Sequence, residues 1–250
     1  MRLLVLAFQF LTIVPIPIAV RCEERDLGRS MSFFPLVGLA LGAMLAGADY
    51  LLSPVLPRAV GDLLLVVLVT VVTGALHLDG LSDVCDGLAA RGSKERFLEV
   101  MKDSRVGAVG AVALVLALGL KYQALLALPA SSKREALLFF PVAARFAQVQ
   151  MTVGSARARQ NGLGSAFLTG AGGAQFVTAF ILTLGIGFLL LGLNGLACSF
   201  VLYFVTWAIK SWSHRRLGGV TGDVIGCASE LNEIAALLVL LVLFNRGWLS

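Results

Sequence analysis

The sequence predicts an all-α, polytopic integral membrane helical bundle of about seven to eight transmembrane helices with a polar site facing the cytoplasm. Three observations carry the fold class. Of 250 residues, 58% are hydrophobic and only 14% charged, whereas soluble domains have about 45–50% apolar and about 25% charged residues. Mean hydropathy is +0.89. Apolar runs of about 20 residues, enough to cross roughly 30 Å of hydrocarbon, recur along the whole chain. A soluble domain would have to bury several helices that are greasy all round, against the usual one-sided pattern.

In chain order, the apolar segments are 3–20, 32–53, 60–79, 106–128, 135–152, 174–193, 195–213 and 232–249. The first has a positive start and an apolar body but no small-x-small cleavage site, and reads as a retained helix rather than a signal peptide. Pro15 and Pro17 kink it or end it early. The fifth is the least hydrophobic, with Arg145, Gln148 and Gln150. Gly-rich breaks at 170–173 and at Asn194-Gly195 separate the later segments. No internal repeat or soluble insert interrupts them, so residues 1–250 read as one membrane-embedded domain. Glycines in GLALGAMLAG, 38–47, permit close helix packing within the chain or between chains, so a homo-oligomer is as compatible as a monomer.

Lys and Arg by loop set the orientation. If all eight segments span, one face holds Arg21, Arg25, Arg29, Arg91, Lys94, Arg96, Lys102, Arg105, Arg157, Arg159, Arg215 and Arg216. The other holds Arg2, Arg58, Lys133, Arg134 and Arg246. The first face is therefore expected to be cytoplasmic, with both termini outside. Nearly all the acidic residues fall on that face too; only Asp49, Asp62 and Glu135 lie elsewhere. The net charge of +5 suits anionic lipid or phosphate-bearing substrates. Nucleic acid is not an expected partner, because no basic stripe with interleaved aromatics appears. Cys22, Cys85, Cys198 and Cys227 form no CxxC pair and read as reduced thiols.

Three polar stretches carry chemistry. In GALHLDGLSDVCDG, 74–87, Asp79, Asp83 and Asp86 stand at i, i+4 and i+7 and share one helix face. Three like charges there repel and lose hydration near the bilayer. A divalent cation would neutralise them, and all-oxygen ligands favour Mg²⁺, Mn²⁺ or Ca²⁺ over zinc. A solvated helix terminus with Asp79 as N-cap is the plainer reading, but a cap needs one carboxylate, not three. His77 precedes the cluster as an interfacial group, and Cys85 reads as packing on the opposite face.

In SKERFLEVMKDSRVGAVGA, residues 93–102 read as an amphipathic helix capped by Ser93, with Arg96 and Glu99 outward. Lys102, Asp103 and Arg105 follow, just before an apolar segment. Lys and Arg beside carboxylates suit metal-bridged phosphate oxygens, although a basic flank is ordinary for a transmembrane helix. In HRRLGGVTGDVIGCASELNE, Gly218, Gly219 and Gly222 surround Thr221 and Asp223 in a loop able to cradle phosphate with backbone N–H groups. His214, Arg215 and Arg216 add polar and positive groups. Glu230 and Glu233 form a carboxylate pair at an expected helix start, where capping explains them as well as catalysis does. Together these groups suit metal-assisted transfer of a phosphate group. No Walker loop, GxGxxG or Ser-His-Asp pattern competes.

The stretches HLDGLSDVCDG (77–87), MKDSRVG (101–107) and GGVTGDVIGCASELNE (218–233) resemble the signature blocks of the cobalamin synthase (adenosylcobinamide-GDP ribazoletransferase) family. FQFLTIVPIP (8–17) and FFPLVGLALG (33–42) resemble its opening blocks, so the likeness covers nearly the whole chain in order. Val84-Cys85 and Ala108-Val109 depart from the family pattern without touching a carboxylate. The resemblance implies a multi-pass bacterial inner-membrane enzyme with its active site toward the cytoplasm. Its expected reaction joins adenosylcobinamide-GDP to α-ribazole, or its 5′-phosphate, and releases GMP with Mg²⁺. Asp79, Asp83 and Asp86 are then expected to hold Mg²⁺, and Lys102 and Arg105 to offset charge on the transferred phosphoryl group. Asp103, Asp223 and Glu230 are candidates to activate the hydroxyl, with Glu233 beside them. His77, Arg215, Arg216, Gly218, Gly219, Thr221 and Gly222 are expected to contact substrate. A phosphatidyltransferase of the CDP-alcohol kind also spaces aspartates on a helix, but here Asp79-Gly80 is followed by Leu81-Ser82 and the later aspartates come too soon. A transporter would place more charge deep in the bilayer than Lys121, Arg145 and Lys210 supply. A structural scaffold leaves the carboxylates unexplained.

Overall fold

The computed structural model describes residues 1–23, 25–159 and 163–246. Its helices, in order, are α1 (Arg2–Leu11), α2 (Asp26–Ser30), α3 (Phe34–Leu52), α4 (Arg58–Val72), α5 (Leu76–Ala89), α6 (Lys94–Val100) and α7 (Ala108–Ala127). They continue with α8 (Ala130–Thr152), α9 (Leu163–Leu168), α10 (Gly173–Leu191), α11 (Leu193–Leu217) and α12 (Gly222–Arg246). A 3₁₀ turn, Met31–Phe33, joins α2 to α3. No strand forms among the described residues, only an isolated bridge between Arg157 and Val220.

The least hydrophobic of the expected segments lies at the centre. α8 packs against α3, α10, α11 and α12, and every residue from Phe139 to Thr152 is buried. A helix that meets protein on all sides can be polar, because its polar groups find partners inside the bundle rather than lipid. Two glycines let α3 settle onto it. A Cβ on Gly38 would stand 2.5 Å from the Pro141 carbonyl oxygen, and one on Gly42 2.5 Å from that of Leu138. The small-residue pattern of 38–47 is thus used, at these two positions, inside the chain.

Charge deep in the bundle is paired. Lys121 on α7 donates to Glu230 at 2.5 Å and Glu233 at 2.6 Å on α12. Arg145 on α8, fully buried, donates to Glu233 at 2.8 Å and to the Ser229 hydroxyl at 3.2 Å. Two cations and two carboxylates cancel, so three helices are tied at a point where any one of these charges alone would be intolerable. Neither Lys121 nor Arg145 reaches for a loop or the bilayer surface. At the far end of the bundle a second cluster binds α3, α4, α7 and α8. Lys133 donates to Asp49 at 2.5 Å and to Asp62. Arg58 pairs with Asp62 at 3.4 Å and bonds the carbonyls of Leu125 and Leu128.

Four sequence expectations are corrected. The segment 3–20 does not span: α1 has ten residues, about 15 Å at 1.5 Å per residue, and the chain forms no helix through Pro15 and Pro17. Arg2 is held by Asp26 at 2.5 Å, so the start of α1 lies with the loop that follows it, not on the opposite face. The segment 60–79 breaks at Thr73–Ala75, where Gly74 and Ala75 take φ values of 61° and 54°, and α5 leaves α4 at 89°. The last helix starts at Gly222 rather than 232, which puts Glu230 and Glu233 about two and three turns inside it; the end of the expected segment, 247–249, lies outside the described residues. Finally, five helices are long and apolar enough to cross a membrane, or six if α4 and α5 count as one broken span.

Two outcomes are expected. Gly38→Leu forces a side chain into the α8 backbone and lowers the melting temperature in detergent, by an overpacking penalty of about 1–3 kcal/mol. Lys121→Met leaves two buried carboxylates short of a cation and destabilises by about 3–5 kcal/mol, read as loss of folded protein in membranes, whereas the exposed Arg96→Met leaves the folded yield unchanged.

Candidate active site

The loops that the sequence assigned to one face do converge. α5 lies along the first half of α12, and the approach is so close that a Cβ on Gly80 would sit 2.6 Å from the Asp223 carbonyl oxygen. Asp79 and residues 222–226, far apart in sequence, therefore stand at one cavity. Arg157 and Ala158 run beside Val220, with Ala158 N–H donating to Val220 C=O at 3.0 Å and Val220 N–H to Ala156 C=O at 2.9 Å. That short bridge carries Arg159 to the same place, where its guanidinium stands 3.7 Å from Asp223.

Between these elements is a cavity of about 250 Å³. Its polar side comprises Asp79, His77, Gln148, Thr152, Arg159 and Asp223; its apolar side is Phe10, Met31, Phe34, Leu76, Phe167 and Ile225. Asp79 is exposed and Asp83, one turn on, is half-buried. Asp83 lies within electrostatic reach of Asp79, Asp86 and Asp223. Asp223 Oδ2 is buried with no hydrogen bond, the arginine being too distant to donate one. His77 is buried, its Nε2 3.0 Å from Gln148 Nε2, while its Nδ1 has no partner. Gln148 also donates to Ser229 at 2.8 Å, linking the cavity wall to the buried ion cluster below.

The sequence candidates divide by what already binds them. Asp86 shares a helix with Asp79 and Asp83, but its carboxylate accepts from Gly107 N–H and Gly110 N–H, each at 2.8 Å. It caps the N-terminus of α7 from outside, where backbone donors and the helix dipole favour an anion. Asp103 is forked by Arg105, at 2.7 and 3.0 Å. That guanidinium holds the Asp103 carboxyl down at about 2, too acidic for a base at neutral pH. Both face a second groove, beside α6, lined also by Arg96 and Glu99; Lys102 is exposed nearby. α6 begins on Ser93, whose hydroxyl accepts from Arg96 N–H at 3.3 Å, as its sequence predicts.

Glu230 and Glu233 do not line the cavity; they are the anions of the Lys121 and Arg145 cluster. The glycine loop is a turn rather than an open cradle. Gly218 ends α11 at φ 73° with its N–H on His214 C=O, and Val220 N–H is spent on Ala156. Thr221 caps α12 by accepting from Val224 N–H at 3.2 Å. Of that stretch, Gly222, Asp223, Ile225 and Gly226 reach the cavity. Arg215 and Arg216 are exposed, and Arg216 donates to Gly92 C=O at 2.6 Å.

Sequence reasoning missed Arg159, Gln148, Thr152 and the aromatic wall. Gln148 did carry a signal, as a polar side chain within an apolar segment. Arg159 was one basic loop residue among twelve, with no carboxylate beside it in sequence.

The donor set fits a hard divalent cation. Neither Asp79 nor Asp83 makes a hydrogen bond or ion pair among the described residues, and their repulsion is relieved by a cation. Among the described residues no three His, Cys, Asp or Glu side chains form a closed metal cage. Mg²⁺ is ordinarily held by one or two carboxylates together with waters and substrate phosphate.

The cobalamin-5-phosphate synthase family model matches residues 3–241. A protein of Geotalea daltonii named adenosylcobinamide-GDP ribazoletransferase is 64% identical over 98% of this chain and 99% of its own length. Proteins of the same name from Acetivibrio thermocellus and Roseiflexus sp. are 34% identical over 98% of this chain and 38% identical over 94%, covering 99% and 87% of their own lengths. No solved structure matches the chain. With its acidic helix laid against Gly222 and Asp223, this chain belongs to the cobalamin-5-phosphate synthase family.

Proposed function

We propose that this chain is an adenosylcobinamide-GDP ribazoletransferase of the membrane. It transfers the adenosylcobinamide phosphate group from adenosylcobinamide-GDP to a hydroxyl of α-ribazole, or of its 5′-phosphate, and releases GMP. The observation that carries the reading is the convergence of Asp79, Asp223 and Arg159 at one cavity, with Asp83 one turn from Asp79 and within electrostatic reach of both aspartates, in a member of this family. The count of basic residues by loop supports a cytoplasmic position for that face of a bacterial inner-membrane protein.

Asp79 and Asp83 would hold Mg²⁺, which supplies neutralisation of the diphosphate oxygens when bound. Arg159 attracts the transferred phosphoryl group and stabilises charge that develops on its oxygens. The N-terminus of α12, at Gly222 and Asp223, adds the positive end of a helix dipole. Asp223 lines the cavity beside Arg159, and it receives the proton as the ribazole hydroxyl attacks phosphorus. A new O–P bond forms, the bond to the GMP oxygen breaks, and GMP leaves with the electron pair. Asp103 and Glu230 do not serve as the base, since neither lines the cavity.

Purified protein should release GMP from adenosylcobinamide-GDP only with α-ribazole and Mg²⁺ both present; release without either contradicts the assignment. Asp79→Asn and Asp83→Asn should each lower kcat by about a hundredfold or more with the folded yield unchanged. Asp86→Asn, which keeps an acceptor for the α7 cap, should retain turnover within about tenfold. An Asp86→Asn loss equal to that of Asp83→Asn would return Asp86 to the metal.

A further inference from the structure

The apolar side of the cavity is unused by the phosphoryl chemistry, and it has a definite shape. Phe10, Phe34 and Phe167 form one aromatic cluster, with ring centroids 4.3 Å apart for Phe10 and Phe167 and 5.9 Å for Phe34 and Phe167. Phe34 and Phe167 are buried, while Phe10 is only partly covered. Met31, Leu76 and Ile225 complete this side. The three rings come from α1, α3 and α9, none of which bears the acidic or glycine motifs. A volume of about 250 Å³ admits a bicyclic base and part of a ribose, and excludes a corrin macrocycle.

The two substrates of the proposed reaction differ in the flat group each brings. Guanine carries exocyclic donors and acceptors around its edge, which this wall of phenylalanine, methionine, leucine and isoleucine would leave unpaired at a cost. The dimethylbenzimidazole of α-ribazole has a methylated edge, no exocyclic polar atom, and a single ring nitrogen free to accept. His77, on the polar side of the same cavity, carries one donor. With Gln148 Nε2 donating to His77 Nε2, the ring proton belongs on Nδ1, which is buried without a partner. The second groove is lined by Asp86, Arg96, Glu99, Asp103 and Arg105 and contains no aromatic residue.

We propose that the Phe10–Phe34–Phe167 wall of this cavity is the α-ribazole subsite, in which the benzimidazole base stacks among the rings and its ribose points toward Asp223. This rests on the transferase reading above and assigns within it which substrate enters the cavity. The walls select for a flat, apolar base.

The test separates KM values in the GMP-release assay. Phe167→Leu removes a ring from the wall and keeps apolar volume; Phe10→Leu does the same at the partly exposed rim. Each should raise KM for α-ribazole by about tenfold, the order expected for loss of base–aromatic stacking, while KM for adenosylcobinamide-GDP and kcat stay within about twofold. Binding of α-ribazole alone, followed by its benzimidazole fluorescence, should weaken by the same factor and should not be displaced by GMP. A rise in KM for adenosylcobinamide-GDP instead, or displacement by GMP, overturns the subsite while leaving the transferase reading intact. Absence of GMP release by the unaltered protein would remove the transferase reading itself; unchanged α-ribazole fluorescence binding in both variants would remove the subsite independently.

Discussion

The site depends on how closely α5 can approach α12. At Gly80 there is no room for a side chain: the Asp223 carbonyl oxygen and Cα stand 2.6 and 3.0 Å from where a Cβ would be. That contact places Asp79 and Asp83 beside Asp223 and turns two distant motifs into one acidic surface. α5 is braced from behind as well. Asp86 grips the N-terminus of α7, and the Phe97 ring of α6 lies against Gly87, 2.8 Å from a would-be Cβ. On the other side, α12 is held by Lys121 and Arg145 through Glu230 and Glu233. Helix positions are thus set by pairs of opposite charge and by glycines, since apolar burial gives little preference for helix over lipid.

A division of labour among carboxylates follows. Asp86, Asp103, Glu230 and Glu233 each have strong partners in the protein and serve its architecture. Asp79 and Asp83 make no hydrogen bond or ion pair among the described residues, and Asp79 lines the cavity with Asp223, which Arg159 faces at 3.7 Å. Acidic groups crowded at a lipid boundary are unfavourable until a cation and a phosphate arrive. The fold accepts that local strain because the paired charges deeper in the bundle anchor α12, and Asp86 ties α5 to the N-terminus of α7.

Much of this was legible in the sequence, and the remainder fails for identifiable reasons. Hydropathy gave the bundle, and the i, i+4, i+7 aspartates on one helix were readable from spacing alone. Ser93 announced the start of α6 through its side chain. What spacing could not reveal was which carboxylates are already occupied, because Asp86 finds its donors 21 and 24 residues away and Glu233 its arginine 88 residues away. The bend after Val72 was hidden by an unbroken apolar run, resolved only by Gly74 and Ala75 turning left-handed. α1 was over-extended because the residues after it remain apolar although Pro15 and Pro17 deny them a helix. Arg145 looked out of place in a span, yet it sits on the central helix, where paired charge is tolerable.

The account stands on Asp79 of α5 and Asp223 of α12 acting at a single centre. The most direct measurement is a double-mutant cycle on kcat/KM for GMP release, with Asp79→Asn, Asp223→Asn and the combination in folded protein. The account predicts strong coupling, the double variant being no slower than the worse single one, as for residues that work as a unit. Losses that simply multiply would mean the two carboxylates act at separate places, and would contradict it.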